Sequence, residues 1–510
     1  MNKVKLKDIA ISQTGPFGSQ LHESDYVQEG TPIVTVEHLG ETSFTHQNLP
    51  YVSEKDRNRL SKYILREGDI VFSRVGSVDR NTYVSSEEDG WLFSGRCIRV
   101  RVDKGKAVPK YISFYFRQKV FKEMMLNISV GATMPSLNTK LMDHIPLTLP
   151  NLLIQEKVAS VLSALDDKIE LNNKINAELE QMAKTLYDYW FVQFDFPNEE
   201  GKPYKSSGGK TVYNEVLKRE IPEGWEVKVF SDWIKETKAG DWGKDTEEGN
   251  YTERVYCVRG ADINGLNGKG EVKAPQRFIL KNNLSKALKA NDFIIEISGG
   301  SPTQSTGRIA LLTNKTFERF DTGVICSNFC KAISLKDEKY IFNFQQEWQR
   351  LYNAGVFFGY EGKTSGIKNF LFDSFVNSCK VVLPPKDIVE QYYNIAQTLD
   401  EKKQINLQQN QELAQLRDWL LPMLMNGQVE VSDNYSSDND EHSIVIPKEM
   451  DLAAEPTIGY QKLEPFATNE SLEIDPRFES WLAHQGLAAR GDIDTETLRE
   501  IFDAMDDEDK

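Results

Sequence analysis

Cysteine and histidine are scarce in this chain, five and six among 510 residues. An odd number of scattered thiols argues against a disulfide framework. Cys326 and Cys330 stand four apart in the apolar run GVICSNFCKAI with no histidine nearby, so they read as buried thiols, and no metal site is expected. Long apolar runs are missing too. Nothing approaches the roughly 20 residues of a membrane span, and MNKVKLKDIA lacks the apolar core of a signal peptide. A soluble, cytoplasmic protein with no membrane partner is the expectation. Catalytic signatures are equally sparse. There is no GxxxxGK[ST] loop and no GxGxxG on a strand–helix turn, so neither ATP nor a dinucleotide has a cradle. No Asn/Asp-Pro-Pro-aromatic stretch of the kind that holds a flipped base is present; Leu383-Pro384-Pro385-Lys386 only opens a helix. Asp69, Asp292 and Glu296 begin or lie within strands, where a turn or edge role outweighs a nuclease cluster.

Charge is plentiful but unevenly placed. Spread evenly, a net charge of −16 would set the chain against nucleic acid. Residues 432–510, however, hold 21 acids and 6 bases, which leaves 56 acids and 55 bases in the first 431. The body is near neutral, and phosphates meet the local field of a surface rather than the bulk pI. The acidic stretch opens with SDNYSSDNDEHS, a composition that cannot bury a core. It reads as an acidic, partly disordered C-terminal extension.

What the chain does have is one segment twice. Leu149–Gln181 recurs as Leu383–Gln415, 234 residues on, without a gap and with 12 of 33 positions identical. Both copies repeat apolar residues at 4-3-4 spacing: Ile154, Val158, Val161, Leu165 in the first and Ile388, Tyr392, Ile395, Leu399 in the second. That is a coiled-coil seam. Lys168 and Asn172 interrupt it, and Lys402 and Asn406 interrupt the copy at the same places, as register-setting polar residues do. Each helix is expected to run about 38 residues, roughly 57 Å at 1.5 Å per residue, with Pro422 ending the second a turn early. The seams are expected to pair with each other, antiparallel and related by a pseudo-twofold axis.

Unlike, strand-rich segments precede the two copies. REGDIVFSRVG and GRCIRV in the first are faintly echoed by KANDFIIEISGG and NFCKAI in the second. Pro109–Met125 reads as helical. The division is therefore 1–148, first variable domain; 149–196, first spacer helix; 197–222, linker; 223–380, second variable domain; 381–431, second spacer helix; 432–510, extension. The fold class is α+β, two mixed α/β domains separated by the helices. Candidate DNA contacts are polar and cationic loop residues: Ser19, Gln20, Ser73, Arg74, Ser77, Arg80 and Arg96 in the first domain, and Ser301, Gln304, Arg308, Lys363, Ser365, Lys368 and Asn369 in the second. Such loops offer donors to phosphate oxygens and the side chains that pair with guanine or adenine edges. Arg99 and Arg101 alternate on one strand and share a face.

The whole arrangement resembles the specificity (S) subunit of type I restriction–modification enzymes. The resemblance covers about residues 1–431 and is carried by GPFGSQL at 15–21, GDIVFSRVGS at 68–77 and the two helix starts LPNLLIQEKVASVLSALDDKI and LPPKDIVEQYYNIAQTLDEKK. The second domain departs from it, with Asn291-Asp292-Phe293-Ile294-Ile295-Glu296 where the first has its GDI-x-F-x-R box. The resemblance implies a non-catalytic, phage-defence subunit whose two target recognition domains each read one half of a bipartite, asymmetric site in double-stranded DNA. It implies two modification (methyltransferase) subunits docked on the helices, holding S-adenosylmethionine and methylating adenine. Restriction subunits using ATP and Mg join that core, and this chain itself holds no cofactor. The rival readings are a single-chain DNA methyltransferase or nuclease, and a coiled-coil scaffold that binds proteins.

Overall fold

A computed structural model describes residues 1–431 other than 19, 130–134, 300–302 and 365–366, together with 444–445. The acidic extension read from 432 onward thus lies almost entirely outside the described residues. The fold is mixed α+β, and the chain divides into two compact units. Unit 1 is built on Met1–Glu170 with the second long helix from Gln411 onward, and unit 2 on Leu171–Asn410.

Unit 1 centres on a four-stranded antiparallel sheet in the order Ala10–Thr14, Cys97–Val102, Asp69–Ser73, Asn81–Tyr83. The central strand, DIVFS, is buried along its whole length. Alternate side chains point to opposite faces. Ile70 and Phe72 enter a core with the helices, while Val71 enters a second core with Ile33, Val34 and Phe93. Beside the sheet, Thr31–Val34 runs parallel to Leu92–Phe93. Asn2–Lys5 pairs with Pro146–Leu149, the strand that leads into the first long helix.

Unit 2 repeats the central sheet of this plan and adds a three-stranded sheet of Ser298–Gly299, Ile367–Phe370 and Glu361–Thr364. Its four-stranded sheet runs Ile234–Ala239, Cys330–Leu335, Asp292–Glu296, Ile309–Leu312. Tyr251–Val258 is parallel to Gly323–Cys326, and Glu226–Val229 pairs with Lys380–Leu383 ahead of the second long helix. The faint echoes in the sequence therefore fall on equivalent central strands, with Asp69 and Asp292 opening them. Each carboxylate accepts the backbone N–H three residues earlier, from Arg66 and Lys289 respectively (2.8 and 2.9 Å). Each also holds a cation: Asp69 takes Arg101 at 2.6 Å, and Asp292 takes Lys238 at 3.1 Å. Both are structural braces.

The long helices run Leu152–Tyr187 and Lys386–Met425. Asn151 caps the first, accepting the Ile154 N–H at 2.9 Å. The second does not stop short of Pro422, as its sequence suggested, but continues through it to Met425. An interior proline costs about 3 kcal/mol, yet burying Leu420, Leu421, Leu424 and Met425 gains about 1.5–3 kcal/mol each. Burial wins. The helix expected over Pro109–Met125 is two, Pro109–Arg117 and Lys119–Ile128, divided at an extended Gln118. The 197–222 segment carries a hairpin, Thr211–Asn214 with Arg219–Pro222.

Within unit 2, the late part of the first long helix meets the early part of the second. Asn172 donates to Gln409 and Asn410 (both 2.8 Å), Asn406 donates to Asn176 (2.9 Å), and the Tyr392 hydroxyl donates to the Ala183 carbonyl (3.2 Å). Within unit 1, Asp166 meets Arg417 at 3.0 Å. Rising numbers on one helix meet falling numbers on the other. Lys168 and Lys402 are half-buried. Ile154, assigned to the seam, is 45% exposed, and Leu416, which continues the same spacing on the second helix, is 40% exposed. The first helix instead buries Ala159 and Leu162 against the unit 1 core, because it serves two neighbours rather than one.

Candidate nucleic-acid interface

The strand Ala10–Thr14 delivers the chain to Gly15-Pro16-Phe17-Gly18 at one end of the unit 1 sheet. Gly15 packs so closely on the neighbouring Ser94–Cys97 turn that a Cβ there would overlap the Ser94 carbonyl oxygen. The turn is closed by the Cys97 N–H donating to the Ser94 carbonyl (3.0 Å). Phe17 is left half exposed, with the Arg74 guanidinium 5.1 Å from its ring centre. Arg74 also donates to the Gly95 carbonyl (3.2 Å), and its Nε is buried without a partner. Such a stacked cation is worth about 0.5–2 kcal/mol. It stiffens the loop.

A cavity of about 710 Å³ opens beside these loops, lined among others by Phe17, Tyr26, Glu37, Arg80 and Arg96. Arg80 and Arg96 are exposed, and among the described residues neither side chain has a hydrogen-bonding or ion-pair partner. Two unpaired guanidinium groups beside an aromatic ring form a site that attracts anionic or acceptor-rich ligands. Ser77 is exposed next to them, and Ser73 is buried, donating to the Val75 carbonyl (2.9 Å). Gln20 is held by Tyr63 and Arg59. Ser19 lies outside the described residues. Arg99 and Arg101 do share a face, but an internal one: Arg101 forks onto Asp69, and Arg99 donates to the Ile64 carbonyl (3.0 Å).

Unit 2 has the same construction in other residues. Ile234–Ala239 leads to Gly240-Asp241-Trp242-Gly243. A Cβ on Gly240 would overlap the Ser327 carbonyl, and Cys330 N–H closes the Ser327–Cys330 turn at 2.9 Å. Trp242 carries Arg277 4.1 Å from its ring centre, and Phe329 on the turn is 55% exposed. The cationic loop residues are mostly bound to their own surroundings. Arg308 forks onto Glu296 (2.9 and 2.7 Å), Lys368 pairs with Glu361 (3.1 Å), and Asn369 accepts from Ser298. The Gln304 carbonyl accepts from Lys368 at 3.3 Å, and Lys363 lies opposite Lys368 in a hairpin. Ser301 and Ser365 lie outside the described residues.

The candidates thus gather at the loop end of each sheet, around a feature the list of polar residues omitted. That feature is a Gly-x-aromatic-Gly loop pinned to a Ser-x-x-Cys turn. Both were visible as repeats, GPFG with GDWG and SGRC with SNFC. Their offsets of 225 and 233 differ from the 234 of the helices, so a search at constant offset passes over them.

Residues 1–181 match the family model described as Type I restriction modification DNA specificity domain. The chain is 28% identical over 391 residues to the type I restriction enzyme MjaIX specificity subunit of Methanocaldococcus jannaschii, covering 75% of this chain and 82% of that one. It is 22% identical over 426 residues to the type I restriction enzyme HindI specificity subunit of Haemophilus influenzae, covering 74% and 89%. A crystal structure of a type I restriction–modification S subunit from M. genitalium aligns with 83% of this chain and 95% of its own, at 13% identity and a TM-score of 0.48. Among the described residues no helix is long and apolar enough to cross a membrane. Residues 1–181 are thus similar to type I DNA specificity domains, and along three quarters of its length this chain resembles the specificity subunits of type I restriction–modification enzymes.

Proposed function

We propose that this chain is the non-catalytic, DNA-binding subunit of a cytoplasmic type I restriction–modification complex. Each sheet-end site reads one half of a bipartite, asymmetric target in double-stranded DNA. The two long helices pair as an antiparallel coiled coil that sets the gap between the half-sites and docks two modification subunits. Those subunits bring S-adenosylmethionine, and restriction subunits bring ATP and Mg. Within the reading sites, Ser19, Ser77, Arg80 and Arg96 act in unit 1, with Gln20, Ser73 and Arg74 shaping the loops. Ser301, Gln304, Arg308, Lys363, Ser365, Lys368 and Asn369 act in unit 2. Lys168, Asn172, Lys402 and Asn406 hold the helix register.

The observation that carries the reading is an exchange symmetry in the hydrogen bonds. Asn172 donates to Asn410, and Asn406 donates to Asn176. Adding 234 to the first residue of one bond and subtracting it from the second produces the other bond. Two copies of one segment related by a twofold operation meet in this way. With the same central-sheet order in both units, the symmetry supports two readers of one design. Two modules on a stiff spacer gain from linkage only when their sites lie at the matching separation.

The test is a four-residue insertion in one long helix of the chain, co-expressed with its modification partner, followed by genome-wide mapping of methylated adenines. The preferred gap is expected to change while both half-sites keep their bases. An unchanged gap would refute the spacer reading.

A further inference from the structure

Superposed by their hydrogen bonds, the two reading sites differ in chemistry at two neighbouring positions. The Arg96 carbonyl accepts the Arg74 N–H at 2.8 Å, and the Phe329 carbonyl accepts the Ile297 N–H at 2.8 Å. Both residues sit third in a Ser-x-x-Cys turn closed by the same backbone bond, with the Ser Oγ and Cys Sγ 3.6 and 3.8 Å apart. Both turns are wedged against a glycine that admits no Cβ. The backbone at Arg96 and Phe329 is therefore fixed, while both side chains are exposed. A rigid turn that presents one free side chain is what discrimination between bases requires.

The neighbouring position changes in step. The Ser73 N–H donates to the Arg80 carbonyl (3.0 Å), and the Glu296 N–H to the Arg308 carbonyl (2.9 Å), so Arg80 and Arg308 are equivalent. Opposite Arg80 stands the uncharged Ser73, and the guanidinium stays free. Opposite Arg308 stands Glu296, which neutralises it. Unit 1 thus offers two unpaired guanidinium groups, whereas unit 2 offers a neutralised arginine beside an exposed ring.

We propose that the Arg96/Phe329 position is the specificity-determining residue of each reader, Arg96 taking a guanine in its half-site and Phe329 the methyl edge of a thymine in the other. The inference rests on the function proposed above. Arginine donates two bonds to guanine O6 and N7, and an apolar side chain contacts the thymine methyl. A phosphate contact does not account for the pair, because a benzyl ring offers a phosphate nothing.

The experiment uses the full chain assembled with its modification subunits and reads adenine methylation on a library with both half-sites randomised. Arg96→Gln should weaken the guanine preference at one position of one half-site by about 10- to 100-fold and move it toward adenine, since glutamine pairs with adenine N6 and N7. Phe329→Ala should erase a thymine preference at one position of the other half-site. In each case the untouched half-site reports that the complex is intact. A loss spread evenly over all sequences, with a shallower salt dependence, would mark a phosphate contact and overturn the inference. So would unchanged preferences in both variants beside a split wild-type target. A wild-type complex that methylates no split target would instead overturn the proposed function itself.

Discussion

Asp166 and Asp400 are the same residue in the two copies of the repeated segment, and their surroundings should give them opposite effects on stability. Asp166 is buried between two arginines, accepting from Arg117 at 2.5 Å and from Arg417 at 3.0 Å. Burial pushes its carboxyl up, but the hydrogen bonds and charges of Arg117 and Arg417 outweigh that and hold it below the usual range. Counting back 234 residues from Arg417 reaches Ala183, so Asp400 has no such cation from the other copy. Its contacts are the Thr313 hydroxyl at 3.3 Å and the Gln404 amide at 3.4 Å. Burial, opposed only in part by Lys403, pushes the Asp400 carboxyl up. Asp166→Asn leaves the buried Arg117 guanidinium without its counter-charge, while Arg417 keeps Asp418 at 2.7 Å, and should cost about 3 kcal/mol or more. Asp400→Asn removes a poorly compensated charge and should be neutral or stabilising, within about 1 kcal/mol. At 2–4 °C per kcal/mol for units of this size, calorimetry of the full chain at pH 7 should show a fall of about 6–12 °C for the first variant. The second should show no fall. The pH dependences also differ in sign. The depressed carboxyl of Asp166 stabilises above the ordinary carboxylate range, and that contribution fades as pH falls through its folded value. The raised carboxyl of Asp400 destabilises at neutral pH and is relieved as pH falls, so any advantage of the asparagine variant should vanish in acid. Equal losses from the two substitutions, or a deficit in Asp166→Asn that grows on acidification, would refute this reasoning.

Two further outcomes are expected. Gly15→Ala places a Cβ against the Ser94 carbonyl and should displace the Phe17 loop, lowering affinity of the assembled complex for DNA in a gel-shift assay; Gly18→Ala, where nothing lies within 4 Å, should leave affinity unchanged. Comparable losses would count against the pinned loop. Asn172→Ala and Asn410→Ala should each destabilise by about 1–3 kcal/mol by orphaning a shielded partner, and the double variant should lose less than the sum; strict additivity in chemical denaturation would deny the bond between them.

The two long helices were legible because their signal is local and repeated: one 4-3-4 apolar spacing, written twice at constant offset. The equivalence of the two sheets was legible only as an echo, since buried strands require β-branched and aromatic side chains in alternation rather than particular ones. Pro422 shows where local rules fail. Its helix-breaking tendency is intrinsic, but the core that buries the four side chains around it is supplied by the rest of unit 1. The arginines show the same limit. Arg96, Arg99, Arg101 and Arg308 look alike as residues, yet Asp69 and Glu296 take two of them, Arg99 turns inward, and Arg96 stays free.

The amino-acid sequence by itself determined the plan, two unlike segments each followed by one of two copies of a repeated helix, because periodicity and repetition are properties of a linear string. Only the tertiary structure decided which cations remain available to a ligand and which are spent inside the protein. That depends on counter-charges brought together from strands and loops far apart along the chain, and no local pattern encodes their meeting.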